Sequence, residues 1–321
     1  MNRNNTFGPL LSWNNQTQLP FQQQFSHVAN VLVERMLSLH RLGAIYRSLP
    51  ACSDPGEFIK HALSGLNLCH TIQREDLKAV PHDGPTVVIA NHPFGGIDGM
   101  VLASILLSVR KDVKILANYF LGRIPEMRHL LFQVDPFGSR ASVNQNSKSL
   151  KEAFRWVKNG GLLVVFPAGE VSHFRWQTKK IEDPEWNQTV VRIIRRAQAK
   201  VVPVYFKGRN SLAFQAGGLV HPLLRTLMLP REMLKKQSRH VRLKIGSVIT
   251  QKRISVIPND GDLVAYLRFR TYLLGNAFDK MPGFLNTPVK KIKFRKKPES
   301  IIKPKAKDDL VKDIEGLSIS Q

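Results

Sequence analysis

Thr86-Val87-Val88-Ile89-Ala90-Asn91-His92-Pro93-Phe94-Gly95-Gly96-Ile97-Asp98-Gly99 is the stretch from which the fold of this chain can be read. Its first five residues are β-branched or apolar throughout, without the alternation of a half-exposed strand. Both faces are therefore expected to be covered, as in the middle of a sheet. The strand stops at Asn91-His92 and the glycine pair turns the chain. Residues 97–109 are then predicted to form a helix with Asp98 in its first turn, where the dipole favours a carboxylate. A histidine at a strand end, brought back to a carboxylate at a helix start, makes a base-and-orienter pair. The carboxylate can fix the tautomer and stabilise the imidazolium. The same two residues also suit a buried structural pair, so the motif alone leaves both readings open.

Working outward, the strand and helix signals alternate. Residues 113–117 and 162–166 are predicted as strands, 132–135 as a strand or turn, and 147–158 as a helix closed by Gly160-Gly161. A helix is expected over 188–197, with further strands over 201–206 and 241–245. Upstream, the apolar spacing over 25–49 predicts a helix, a second helix covers 55–63, and short strands are expected over 67–71 and 75–80. This alternation implies a layered α/β fold with its chemistry on loops at the strand ends. The domain boundaries read as 1–66 for a polar arm and N-terminal helices, 67–287 for the main domain, and 288–321 for a basic tail. Residues 288–307 hold nine Lys or Arg against Glu299 alone; such a segment cannot bury a core and is predicted to be disordered.

Composition narrows the class. A chain of 321 residues, 43% of them apolar, can bury one large core. The formal charge of +24 calls for an anionic partner: lipid headgroups, an acidic carrier or nucleic acid. Two cysteines, Cys52 and Cys69, form no CxxC pair and no zinc spacing with histidine, so neither a disulfide framework nor a structural metal is expected, and a reducing cytosolic setting fits. Residues 1–24 are rich in Asn and Gln and lack the apolar core of a signal peptide. The longest apolar stretch, 100–109, is too short for a hydrocarbon layer of about 30 Å. No transmembrane helix is therefore expected, and lipid would be met by lying on the cytoplasmic surface of a membrane as a peripheral protein.

The block Asn91 to Asp98 resembles the Asn-His-x4-Asp motif of the glycerophospholipid acyltransferases, whose best-known members acylate 1-acylglycerol-3-phosphate. Phe132-Gln133-Val134-Asp135 resembles the second motif of that family. Phe166-Pro167-Ala168-Gly169-Glu170-Val171-Ser172 resembles its Phe-Pro-Glu-Gly motif, and Val202-Pro203-Val204 its final Val-Pro motif. The third block stands about seventy residues past the first and the fourth about thirty-five beyond it, as in the family. Five residues rather than four separate His92 from Asp98, a bulge that Gly95-Gly96 can absorb. Ala168 replaces the family glutamate, with Glu170 two positions on. Gly208 to Ser211 and His221 to Arg225 resemble the branch that includes lyso-ornithine-lipid acyltransferases and hemolysin-related proteins.

This resemblance implies an acyltransferase domain built on a mixed central sheet. It also implies a reaction in which His92 is the general base on an acceptor hydroxyl and Asp98 holds the imidazole. The acceptor would be a lysolipid, such as lysophosphatidic acid or a lyso-ornithine lipid. The acyl donor would be acyl-CoA or acyl carrier protein, as co-substrate, with no cofactor or metal. Asn91, Arg140, Phe166, Pro167, Gly169 and Glu170 are the expected substrate contacts, Arg140 serving an anionic group. An anionic membrane surface is the expected partner. A catalytically inert lipid-binding module remains open on the loss of the glutamate at Ala168. Nucleic-acid binding, which the charge invites, lacks both a zinc-finger spacing and an aromatic-basic RNA signature.

Overall fold

The computed structural model describes residues 38–135, 140–220 and 222–278. Within them lie ten α-helices: α1 Leu39–Ser48, α2 Pro55–Gly65, α3 Arg74–Lys78, α4 Gly96–Leu106, α5 Arg140–Lys158, α6 Thr189–Arg196, α7 Leu212–Val220, α8 Pro222–Lys235, α9 Gln251–Ser255 and α10 Asp260–Leu273. The strands are β1 Cys69–Thr71, β2 Thr86–Ala90, β3 Val113–Asn118, β4 Leu131–Val134, β5 Leu162–Val165, β6 His173–Arg175, β7 Lys180–Glu182, β8 Lys200–Lys207 and β9 His240–Ile245. The part of the predicted 25–49 helix before residue 38, and the basic tail, lie outside the described residues.

Seven strands form one sheet in the order β1-β9-β8-β2-β5-β3-β4. It is mixed, because β8 and β9 run antiparallel while every other neighbouring pair runs parallel. β2 lies near its middle, between β8 and β5, and all five of its residues are buried. The continuous apolar run has this cause: Val88 and Ala90 face one core and Val87 and Ile89 the other. α2 and α4 fill the first core with Phe58, Ile59, Leu63, Ile97, Leu102 and Leu106. α5, α6 and α10 fill the second with Ala153, Val157, Val191, Ile194, Leu263 and Leu267. Each of these side chains larger than alanine contributes about 1.5–3 kcal/mol relative to exposure.

One predicted strand is corrected. Residues 75–80 form α3 and its exit, not a strand. Glu75 and Asp76 occupy the first turn of this helix, where its dipole favours them. The Asp76 carboxylate accepts from Lys244 Nζ at 2.8 Å on β9, the strand beside the β1 edge. An antiparallel hairpin, β6–β7, and the helical pair α7 and α8 stand where sequence periodicity had assigned no element.

Candidate active site

β2 delivers His92 to the sheet's carboxyl edge, and the turn to α4 returns Asp98 to it. Gly95 makes that return with φ +79° and ψ −130°, a left-handed conformation that side-chain-bearing residues rarely adopt. His92 Nδ1 lies 3.0 Å from Asp98 Oδ2, with the histidine side chain 18% exposed and the carboxylate fully buried. The ring N–H does not aim straight at that oxygen, so the contact falls short of a linear hydrogen bond. The Phe94 and Gly95 N–H groups donate to the same Oδ2 at 2.8 and 3.1 Å. Burial pushes the Asp98 carboxyl above its ordinary value, and His92 and the two N–H groups pull part of that back.

The expected bulge therefore does not part the pair. It aims two backbone N–H groups at Asp98, so these cannot also serve a tetrahedral oxyanion.

β5 runs parallel beside β2 with Ile89 opposite Val165, which places Phe166 next to the end of β2. Its ring stacks on His92 with centroids 4.1 Å apart and planes at 26°. Pro167 is buried and its carbonyl accepts from the Asn187 N–H at 2.9 Å. Gly169 closes a tight turn with φ +69°. Glu170 is half exposed and pairs with Arg225 Nη2 at 2.8 Å. The Asn91 amide is engaged at both ends by the Phe206 backbone, donating at 3.0 Å and accepting at 2.7 Å; it joins the ends of β2 and β8. Arg140 opens α5, and its side chain lies outside the described residues. Asp135, in the second block, meets Asn146 through its backbone beyond β4, on the edge of the sheet.

Sequence reasoning missed Asp183. It is buried behind the loop, and its Oδ1 accepts from the His92 N–H at 3.1 Å and from the Ser172 hydroxyl. Its Oδ2 accepts from Trp186 Nε1 at 3.0 Å. The Ser172 N–H donates to the His92 carbonyl at 2.8 Å, so both backbone groups of the histidine are fixed. Tyr272 and Arg268 hold the Asp183 backbone in turn. Burial raises the Asp183 carboxyl, opposed by the Ser172, His92 N–H and Trp186 donors to its oxygens. No motif marks this aspartate, because it approaches from the loop after β7; Ser172, inside a quoted block, was the only signal of it.

Beyond Phe94 opens a cleft of about 750 Å³ whose walls include Arg209, Lys235, Lys236 and Arg239. Lys236 Nζ sits 5.0 Å over the Phe94 ring. Among the described residues no three His, Cys, Asp or Glu side chains converge as a metal site needs.

Residues 26–281 match a family described as acyltransferase. The chain is 30% identical over 186 residues to a lyso-glycine lipid O-acyltransferase of Phocaeicola vulgatus, across 56% of this chain and 64% of that protein. It is 33% identical over 213 residues to a lyso-glycine lipid O-acyltransferase of Bacteroides thetaiotaomicron, across 63% and 75%. The crystal structure of a 1-acyl-sn-glycerophosphate acyltransferase from Thermotoga maritima superposes with a TM-score of 0.45 at 18% identity, covering 71% of this chain and 80% of that one. With the family match extending over the whole sheet and over the His92 and Asp98 loop, the chain belongs to the acyltransferase family.

Proposed function

We propose that this protein transfers a fatty acyl group from a thioester to the hydroxyl of a lysolipid, with His92 as general base and Asp98 as the group that orients the ring and stabilises the charge it acquires as the proton arrives. The observation that carries the reading is the partly exposed His92 ring set 3.0 Å from a fully buried carboxylate. His92 takes the acceptor proton as the hydroxyl oxygen attacks the thioester carbonyl. The tetrahedral intermediate collapses, the carbon–sulfur bond breaks, and the imidazolium returns the proton to the leaving thiolate. General-base assistance of this kind is worth about 10²- to 10⁴-fold. Phe166, stacked on the ring, limits its rotation.

The names of the two curated relatives favour a lyso-glycine lipid as acceptor over the lysophosphatidic acid or lyso-ornithine lipid expected from motifs alone. Arg225, held by Glu170 near the mouth of the loop, is the cation we assign to an anionic acceptor group. The basic cleft beyond Phe94 suits the phosphates of coenzyme A or the acidic surface of a carrier protein. A panel of lysolipids offered with acyl-CoA and acyl carrier protein tests the reading. An O-acylated product from one lysolipid is expected; release of free fatty acid with no acylated lipid would overturn it.

A further inference from the structure

α7 is an anomaly for a surface helix. It carries no charged residue, yet Leu212, Ala216 and Leu219, spaced i, i+4 and i+7, all face outward, with Leu212 76% and Leu219 52% exposed. A surface helix ordinarily presents charge on that face, and one that is apolar all round needs an apolar partner. Its inner face is packed against the rest of the domain. Phe214 is buried, Gln215 accepts from the Phe174 N–H of β6 at 2.9 Å, and a Cβ on Gly217 would stand 2.8 Å from Met228 of α8. α8 repeats the pattern, with Leu224 and Leu227 exposed on one side. Its other side covers the catalytic loop: Leu229 would lie 3.1 Å from a Cβ on Gly95, and Met233 3.1 Å from one on Gly96. The turn after β6 adds Trp176, 69% exposed.

Charge identifies the occupant. The acidic side chains of these elements are each ion-paired: Glu170 with Arg225, Glu182 with Arg268 and Glu232 with Lys235. Arg175, Lys179, Lys180 and Arg231 have no carboxylate partner among the described residues. Leucines and a tryptophan rimmed by uncompensated cations suit the boundary between acyl chains and anionic headgroups.

We propose that α7, α8 and the β6–β7 turn form a monotopic membrane surface, lying on anionic leaflets and delivering the acceptor to His92 beneath α8. The inference deepens the lysolipid reading and rests on it for the delivery step.

The test uses the full chain and sedimentation with phosphatidylglycerol-containing vesicles. Leu212→Glu with Leu219→Glu should weaken vesicle binding by about tenfold per leucine, with an unchanged circular dichroism spectrum and unchanged turnover on detergent-dispersed substrate. Quenching of tryptophan emission by brominated acyl chains should appear in the wild type and fall in Trp176→Phe. Unchanged vesicle binding in the double variant would overturn the proposal, as would loss of a dimer in vesicle-free buffer without any loss of lipid binding, since a second copy would then cover this face. Leucine-dependent vesicle binding in a protein that acylates no lysolipid would sink the proposed function and leave the membrane surface standing.

Discussion

Asp98 and Asp183 are both buried carboxylates within reach of His92, yet their surroundings assign them different work. Asp98 Oδ2 takes the ring and two N–H groups, while Oδ1 has no donor among the described residues. An amide fits there, its oxygen replacing Oδ2 and its NH₂ the unengaged Oδ1. Asp98→Asn should therefore fold at least as stably as the wild type while losing about 10²- to 10⁴-fold in turnover. The raised carboxyl adds a pH signature. Stability from such a group is fully present below its unfolded value and is lost as pH rises through its folded one. The stability advantage of Asp98→Asn should thus be greatest near neutrality and shrink on acidification; urea denaturation of both proteins across that range measures it, and a gap that widens would refute the assignment. Asp183 faces donors on both oxygens, so Asp183→Asn must set an NH₂ against Trp186 Nε1 or against the Ser172 and His92 donors. That variant should lose about 1–3 kcal/mol of stability and lower turnover through a displaced His92. If both aspartate variants behave alike, the division of roles is wrong.

At the scale of elements, β2 supplies rigidity and, in the proposed reaction, the loop after it supplies chemistry. Ile89→Ala, at a fully buried position between two neighbouring strands, should cost about 2–5 kcal/mol in urea denaturation with little change in acceptor KM. Arg225→Gln, between α8 and the loop after β5, should do the reverse, raising acceptor KM more than it lowers kcat. Glu170→Gln should follow it more weakly, because the carboxylate only steadies the guanidinium. The sequence made β2, β5, β8 and α4 legible because strands covered on both faces read as unbroken apolar runs and the dipole marked α4. It made 75–80 look like a strand because five residues are too few to display a helical period, and the charges that favour a first turn outweigh the flanking apolar positions. The loop contacts were legible only in part. Asn91 and Phe166 were found by motif, but only coordinates place the first on the Phe206 backbone and the second on the His92 ring. Asp183 and Arg225 come from segments distant in the chain, and no local pattern joins them to His92.

For the whole molecule, charge and apolar surface act together. Among the described residues no helix is long and apolar enough to cross a membrane, while the sequence carries +24. Attraction of that origin is screened over about 10 Å at 0.1 M salt. Vesicle binding should accordingly weaken as salt is raised, whereas the contribution of Leu212 and Leu219 should persist; salt titrations of wild type and double variant separate the two. The most direct test of the account is the reaction itself. Purified full-length protein is given a labelled acyl thioester and a lyso-glycine lipid, and both released thiol and acylated lipid are counted. The account predicts one thiol for each O-acyl product, with both lost in His92→Ala of unchanged fold; thiol release without acylated lipid, or a His92→Ala protein that keeps about half the wild-type rate, a far smaller loss than general-base removal allows, would contradict it.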